Sequence, residues 1–298
     1  METTTPPSPR YLRFLRSAPV RLILELVAIV GLIIGLHVAT NAIVDGLGIP
    51  SAYFGVFLVL AVPVLVVAYR FLVRRLERRD VTELGRSAAA RELGVGLAVG
   101  FALFGTTISV IALLGGYSIV GRNPITTVAI PLGAAAAAAF TEELVARCVL
   151  FRIVEEWLGT WAAIVISSAL FGLAHAGNPH ATVWSTAAIA LEAGTMLAAA
   201  YIRTRRLWFC MGVHAAWNFT QGGIFGVAVS GGTSEGLLQG QLHGPAWLTG
   251  GEFGAEASAV AVVVCFACAA LLLADSIRAG RGIAPSWVRS RAARAASA

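Results

Sequence analysis

Charge is scarce in this sequence. Only 13% of its 298 residues are charged, and lysine is absent, so all 22 basic residues are arginine. Soluble domains are typically about 25% charged, whereas 57% of this chain is hydrophobic. This balance excludes a soluble globular protein of ordinary composition and indicates a chain that places most of its side chains in lipid.

Long polar segments are missing as well. Apolar runs close to the ~20 residues that cross a bilayer follow one another along the chain, and the segments between them are too short to bury a core. We predict an all-α polytopic membrane protein with about eight transmembrane helices. The predicted spans are 21–41, 52–71, 93–115, 125–156, 160–177, 183–203, 207–228 and 257–277. They divide the chain into a cytoplasmic N-terminal tail (1–20), a transmembrane bundle (21–277) and a basic cytoplasmic C-terminal tail (278–298).

Basic residues are almost missing from one side of the predicted membrane. With eight spans and an internal N-terminus, every arginine except Arg122 falls on the cytoplasmic side. Loops that face the cytoplasm carry such an excess of positive charge. The pattern predicts a multi-pass protein of a bacterial plasma membrane with both termini in the cytoplasm. It also accounts for the pI of 9.7 without a nucleic-acid partner.

Cysteine is too rare and too buried to build a disulfide framework. Cys148, Cys210, Cys265 and Cys268 all lie inside predicted helices. Cys265 and Cys268 form a C-x-x-C pattern, but its neighbours are alanine, valine and phenylalanine. Apolar packing is therefore favoured over redox or metal chemistry at these positions.

Three familiar protease signatures are absent. The sequence has no H-E-x-x-H, no G-x-S-x-G and no pair of intramembrane aspartates. It therefore lacks the zinc-binding helix of zincins, the nucleophile elbow of serine hydrolases and an aspartyl dyad. Any hydrolytic chemistry has to use other residues.

Several ionisable and polar side chains nevertheless lie inside the predicted spans. Such groups are costly in lipid, so they usually face the bundle interior and serve a function. They are Glu142, Glu143 and Arg147 in the fourth span, His175 in the fifth, Glu192 in the sixth, and His214 and Asn218 in the seventh. Glu25 and His37 lie near the ends of the first span, where an interfacial position explains them.

Distances along the chain predict that these side chains share one depth. Glu142 and His175 are each about sixteen residues from the turn near Gly159, which is about 24 Å along a helix. Glu192 and Asn218 are similarly matched around the next turn. His214 lies four residues before Asn218, so both occupy one face of their helix. Two acids, two histidines and an amide are thus expected to line one cavity.

Two kinds of hydrolytic chemistry fit such a set. A carboxylate and a histidine that hold one water form a general base, and a second histidine with an amide can donate to an oxyanion. Alternatively, Glu142, His175 and His214 could bind a metal ion such as Zn²⁺ that activates the water. Asparagine is a poor zinc ligand, and no compact H-x-x-x-H pair is present, which favours the metal-independent alternative.

Three motifs on successive helices resemble a known family. "EELVAR" (Glu142 to Arg147), "FGLAH" (Phe171 to His175) and "HAAWN" (His214 to Asn218) resemble E-E-x-x-x-R, F-x-x-x-H and H-x-x-x-N/D of the CPBP family. This is the CAAX-protease and bacteriocin-processing family, also called Abi. The resemblance covers roughly residues 80–228.

The resemblance implies an eight-helix intramembrane endopeptidase that acts on a peptide or protein substrate within membrane lipid. Carried over by position, Glu142 and His175 would activate water, and His214 and Asn218 would stabilise the oxyanion. Glu143 and Arg147 would support them as an ion pair. Glu192 lies outside the motifs and has no role implied by the family.

Two other classes of function stay open at this point. A transporter would also place acids and histidines near the membrane midplane, although it usually contains internal repeats, and none stands out here. The family also includes proteins linked to bacteriocin immunity, which points to a non-catalytic scaffold as the third reading. The glycine-rich loop 229–256 is too apolar for a free linker, and we expect it to lie against the membrane or to cap the bundle.

Overall fold

The chain folds into a bundle of helices. A computed structural model describes residues 14, 15 and 17–297; the tail residues Arg10, Arg13, Arg16 and Ala298 lie outside this part. The helices are α1 (Ala18–Gly46), α2 (Phe54–Leu76), α3 (Ala89–Leu113), α4 (Ile125–Leu158), α5 (Thr160–Ala174), α6 (Val183–Thr204), α7 (207–224), α8 (Ala259–Arg278) and α9 (Ser286–Ala296). The predicted all-α class of polytopic membrane protein is confirmed.

Helices occupy all eight predicted spans, but they do not all have the length and hydropathy of a membrane crossing. Within the described chain, 6 of them do, namely α1, α2, α3, α4, α6 and α8. Helix α5 has only 15 residues, or about 22 Å, and α7 carries His214, Asn218 and Gln221. The count of eight crossings stays a prediction.

Local sequence signals set several helix boundaries. At the start of α6, the Thr182 hydroxyl accepts from the Ser185 N–H, and the Ser185 hydroxyl accepts from the Thr182 N–H. This reciprocal capping box satisfies two N–H groups that the helix cannot pair itself. Gly159 adopts φ +86° between α4 and α5, a conformation that glycine reaches without a steric cost. The resulting turn brings α5 back alongside α4.

Helix α7 packs unusually close to α3 because α3 presents glycines. A Cβ atom at Gly100 would lie 2.2 Å from the Val213 carbonyl oxygen, and one at Gly96 would lie 2.4 Å from the Phe209 carbonyl oxygen. Small residues allow such close approach of membrane helices. This contact fixes the position of α7, which carries His214.

The loop 229–256 folds over one end of the bundle. It contributes strand β2 (Leu238–Leu242), which pairs antiparallel with β1 (Tyr117–Arg122) after α3. Further along the loop, Phe253 and Glu256 are buried. The loop is therefore a packed cap, one of the two alternatives expected from its composition.

A buried ionic cluster joins the helices at the opposite end. The Glu77 side chain is 1% exposed and accepts hydrogen bonds from Arg152 (2.5 and 2.8 Å), Arg79 (2.9 Å) and Arg21 (3.2 Å). These arginines belong to α4, to the segment after α2 and to α1. One carboxylate thus connects three parts of the bundle.

Glu25 belongs to the same cluster, and its side chain is enclosed by other parts of the protein. Its side chain is fully buried, and its Oε2 lies 3.4 Å from Arg152 Nη2. The first helix turns this acid toward the arginines of the bundle.

Glu77 also predicts how the fold responds to acid. Burial raises the pKa of Glu77, but its contacts with Arg152 and Arg79 outweigh this effect and lower the pKa from 4.5 to about 2. An acid whose pKa is lower in the folded state contributes stability above its unfolded pKa and loses it as the pH falls. We therefore expect this contribution to disappear between about pH 4.5 and pH 2.

Glu77→Gln should destabilise the protein at neutral pH because it leaves several arginines without their shared anion. Breaking a buried ion pair commonly costs about 3–5 kcal/mol, measurable as a loss in the free energy of unfolding in mixed micelles. Glu156→Gln is the matched control, because the Glu156 side chain is 49% exposed and exposed pairs contribute about 0–1 kcal/mol. Equal losses in the two variants would contradict the role given to Glu77.

Candidate active site

The polar residues of α4 lie where its regular helix ends. The α-helical segment Ala129–Glu143 is followed by a π-helical segment, Leu144–Phe151. Similar π segments contain Glu192 (Ala190–Gly194) and follow Asn218 directly (Phe219–Ile224). Segments of this kind occur often at functional sites. Here all three adjoin the side chains that the sequence singled out.

Glu142, His175 and His214 meet at one point. The Oε2 atom of Glu142 lies 3.7 Å from His175 Nε2 and 3.8 Å from His214 Nε2. These separations exceed a direct hydrogen bond and suit a bridging water. Within the described residues, this buried oxygen has no hydrogen-bond partner. The predicted convergence of these three side chains is therefore present in the structure.

Both histidines are oriented through their Nδ1 atoms. His175 ends α5, and its Nδ1 donates to the carbonyl oxygen of Phe171 at 2.8 Å. Because a carbonyl oxygen only accepts, this contact assigns the proton to Nδ1 and leaves the Nε2 lone pair facing Glu142. His214 Nδ1 donates to Glu143 Oε1 at 3.0 Å, so its Nε2 also faces Glu142.

Glu143 makes two contacts, of which the sequence indicated one. Its Oε2 accepts from Arg147 Nε at 2.8 Å in the ion pair expected from their i, i+4 spacing, and both side chains are fully buried. Its Oε1 binds His214, a contact that the sequence did not indicate. The guanidinium of Arg147 also lies 5.0 Å from the centre of the Phe171 ring, a cation–π distance. Glu143 therefore joins the ion pair to the histidine of the site.

Asn218 lines a polar cavity together with Glu142 and His175. The cavity has a volume of about 280 Å³, and its wall includes Ser230 and Ser234 of the loop 229–256. Asn218 lies one turn after His214 on α7 and is partly buried. An amide at this position can donate a hydrogen bond into the space beside Glu142.

An apolar groove reaches the same point from the other direction. It has a volume of about 470 Å³ and ends at Glu142 and His175. Its walls come from α1, α4 and α5 and include Leu26, Val30, Ile33, Val145, Leu150 and Leu170. The meeting point of carboxylate and histidine thus lies between an apolar groove and a polar cavity.

Two further acids lie behind the histidines. Glu192, matched in depth with Asn218 by the sequence, lines a cavity of about 20 Å³ with His175, His214 and Glu256. That volume accommodates about one water. The position of Glu256 beside the histidines was not predicted from the sequence, because Glu256 lies in an irregular loop where helical periodicity does not apply. Burial raises the pKa of the Glu256 carboxyl. The hydrogen bond that Glu256 Oε1 accepts from the Ser230 N–H at 2.5 Å acts in the opposite direction and lowers this pKa.

The residues of this site do not form a metal-ligand set in the structure. In the part of the chain that is described, no group of three or more His, Cys, Asp and Glu side chains is arranged to hold a metal ion. Zinc ligands lie about 2.0–2.2 Å from the metal, which places tetrahedral ligands roughly 3.3 Å apart. The 3.7 and 3.8 Å separations around Glu142 are longer than this.

The contacts of Glu143 lead to a stability prediction. Glu143→Gln should leave the buried Arg147 without its anion and lower the free energy of unfolding by about 3–5 kcal/mol. Glu143→Gln combined with Arg147→Met should recover part of this loss, because a neutral pair replaces the unpaired charge. Glu235→Gln, at an exposed residue, should change stability by no more than about 0.5 kcal/mol. A double variant less stable than Glu143→Gln would count against this account.

Comparison with known protein families singles out the part of the chain that contains these residues. Residues 124–220 match the family model described as type II CAAX prenyl endopeptidase Rce1-like. The match is shorter than the 80–228 expected from the sequence, but it contains all three motifs. No curated protein and no solved structure matches the chain. The resemblance drawn from the motifs is confirmed at the family level over residues 124–220, the part of the chain that matches the CAAX-endopeptidase model.

Proposed function

We propose that this protein is an intramembrane endopeptidase that hydrolyses a peptide bond with a water held by Glu142 and His175. The observation that carries the proposal is the approach of Glu142 Oε2 to two histidine nitrogens, at 3.7 and 3.8 Å. This point lies between an apolar groove and a polar cavity. A peptide that reaches it from lipid would therefore meet water there.

The reaction begins with removal of a proton from the water. The Glu142 carboxylate accepts one hydrogen of the water, and the Nε2 lone pair of His175 accepts a hydrogen bond from the other. The water oxygen attacks the peptide carbonyl carbon and forms a tetrahedral oxyanion. The carbon–nitrogen bond then breaks, and Glu142 returns the proton to the leaving amine.

His214 and Asn218 stabilise the oxyanion in this proposal. His214 lies between two carboxylates, with Glu143 Oε1 at 3.0 Å from Nδ1 and Glu142 Oε2 at 3.8 Å from Nε2. In its imidazolium form, His214 donates its Nε2–H to the oxyanion. The Asn218 amide supplies a second donor. Glu143 and Arg147 hold His214 in this orientation.

The apolar groove indicates the class of substrate. Groups on α1, α4 and α5 form its wall, so the segment next to the cleaved bond is a hydrophobic or lipid-bearing part of a peptide. The name of the matched family model refers to prenylated CAAX peptides. A bacterium generally lacks such proteins, so we propose a peptide with an apolar anchor as the substrate class.

The orientation in the membrane follows from the arginines. We propose a multi-pass protein of a bacterial plasma membrane with both termini in the cytoplasm. With eight spans in this orientation, every arginine of the sequence except Arg122 falls on the cytoplasmic side, where loops carry an excess of positive charge. A reporter fused near Gly240 should be external, and one fused near Arg79 internal. A reporter after Ala298 that is external would refute this topology.

Glu142→Gln should abolish proteolysis while the protein stays folded and inserted. The amide has nearly the same shape but cannot accept the proton of water, and general-base catalysis is worth about 10²–10⁴-fold. The measurement is cleavage of a transmembrane peptide by purified protein in proteoliposomes, read by mass spectrometry. Glu156→Gln, at the far end of α4, is the matched control. Full activity in Glu142→Gln would refute the role given to Glu142, and absence of cleavage by the wild-type protein would favour the transporter or scaffold reading.

The metal question is answered by the same preparations. Because water activation is assigned to side chains, we expect protein with less than stoichiometric zinc in elemental analysis to retain full activity after dialysis against a chelator. Reversible loss of activity on chelation, with recovery on adding Zn²⁺, would overturn this assignment. Glu142, His175 and His214 would then be the candidate ligands.

A further inference from the structure

A second cavity lies at the end of the bundle opposite the loop 229–256. It has a volume of about 440 Å³, within the range of about 300–1,000 Å³ that small-molecule sites occupy. Its wall is mostly apolar and comes from the α4–α5 turn, α6, α8 and the segment 280–285. It includes Leu158, Trp161, Ile202, Leu273, Ile277 and Ile283. We call it the Ser276 cavity, after a polar residue in its wall.

The segment 280–285 is tied to α5 and forms a fixed side of this cavity. The Ile283 N–H donates to the Thr160 hydroxyl at 2.7 Å, and the Thr160 N–H donates to the Ile283 carbonyl at 3.0 Å. The cavity is therefore built between secured elements, rather than being a gap beside a free tail.

Ser276 supplies a polar group without a partner inside this apolar wall. The residue is 1% exposed, and its hydroxyl makes no hydrogen bond with any residue that the structure describes. A buried hydroxyl normally finds an acceptor, because leaving it unpaired costs stability. An occupant that brings an oxygen acceptor among apolar atoms would satisfy it.

Several arginines lie close in sequence to the cavity-wall residues between Ser276 and Pro285. Arg278, Arg281, Arg289, Arg291 and Arg294 occur between the end of α8 and the end of α9. Helix α9 also exposes Trp287 (49%) and Val288 (45%). A short basic helix with exposed tryptophan, directly after a membrane helix, is typical of binding to an anionic bilayer surface.

Arg289 docks α9, Arg281 pairs with Asp275 at 3.3 Å, and Arg291 and Arg294 have no partner among the described residues. Arg289 Nη2 donates to the Glu156 carbonyl at 2.8 Å and so holds α9 against the end of α4. The side chains of Arg291 and Arg294 make no ion pair or hydrogen bond with the described residues. Their guanidinium groups are thus available to an anion, and guanidinium matches phosphate geometry well.

We propose that the Ser276 cavity binds one anionic glycerophospholipid. An acyl chain lies along the apolar wall, an ester oxygen accepts from the Ser276 hydroxyl, and the phosphate lies against the arginines of α9. The acyl chain fits the apolar volume, the ester oxygen pairs with the unpaired hydroxyl, and the phosphate balances the excess positive charge. This inference is independent of the proposed peptidase activity.

The test titrates purified, delipidated full-length protein with lipids in a neutral detergent and counts bound lipids by native mass spectrometry. The probes are phosphatidylglycerol and phosphatidylcholine with identical acyl chains, and glycerol phosphate as a chain-free competitor. We expect one phosphatidylglycerol to bind at least tenfold more tightly than phosphatidylcholine. Glycerol phosphate should not displace it, because the acyl chain supplies much of the binding.

Gly282→Leu is the principal variant, because its side chain should fill the cavity. No atom lies within 4 Å of a Cβ built at Gly282, and its φ is not in the left-handed region, so the leucine enters open space. We expect at least tenfold weaker binding of phosphatidylglycerol. Gly94→Leu is the matched control, since a Cβ at Gly94 also meets nothing within 4 Å and this residue lies on α3.

Charge and hydroxyl variants complete the experiment. A basic residue at an anionic surface contributes about fivefold in affinity, so Arg291→Gln with Arg294→Gln should weaken binding roughly 25-fold. Ser276→Ala should weaken phosphatidylglycerol binding severalfold with little change in the shape of the cavity. If Gly282→Leu fails to fold, Ser276→Ala is the variant that tests whether the lipid lies in this cavity. Arg122→Gln, at the opposite end of the bundle, should bind within twofold of wild type.

Three results would overturn the proposal. Equal affinity for phosphatidylglycerol and phosphatidylcholine would remove the role of the arginines. Displacement by glycerol phosphate alone would indicate an anion site instead of a lipid site. Unchanged binding in folded Gly282→Leu, or in Ser276→Ala where that variant decides, would place the lipid elsewhere on the protein.

Discussion

A single buried carboxylate, Glu143, contacts Arg147 on one side and His214 on the other, and the geometry of the site depends on these two contacts. Its Oε2 pairs with Arg147 at 2.8 Å and its Oε1 binds His214 at 3.0 Å. All three groups are buried, so the charges are paired where water cannot screen them. Because His214 is bound through Nδ1, its Nε2 has one direction left, toward Glu142. The ion pair of α4 thereby sets the orientation of a side chain on α7.

Backbone packing makes this arrangement possible. Gly96 and Gly100 let α7 approach α3 until their backbones touch, and the Gly159 turn returns α5 alongside α4. The π segments begin directly after Glu143 and Asn218. Close helix packing and these irregular turns bring side chains from three helices to one point, and loop 229–256 closes the polar side of that point.

Much of this site follows from counting along the sequence. Equal distances from the Gly159 turn predicted that Glu142 and His175 share a depth, and the i, i+4 spacing predicted that His214 and Asn218 share a face. Spacing did not indicate that Glu143, as well as Glu142, lies beside His214, since that contact joins two helices far apart in the sequence. The three motifs also predicted the family, which residues 124–220 match.

Other features depend on contacts between segments far apart in the chain. Glu256 reaches the back of the histidines from an irregular loop, where no periodicity applies. Glu25 was expected at the interface because it stands near a helix end. In the structure it is buried against Arg152, which lies 127 residues later in the chain. The number of membrane crossings is also difficult to predict, since α5 and α7 are short or polar for that role.

The central claim is that the water between Glu142, His175 and His214 attacks a peptide bond presented by the apolar groove. A structure of the Glu142→Gln variant with an uncleaved transmembrane peptide tests this most directly. The account predicts the apolar part of the peptide in the groove of α1, α4 and α5. It also predicts the scissile carbonyl oxygen within about 2.7–3.1 Å of the His214 Nε2 and Asn218 amide donors. A peptide bound elsewhere, or a carbonyl oxygen beyond hydrogen-bond reach of both donors, would contradict the account.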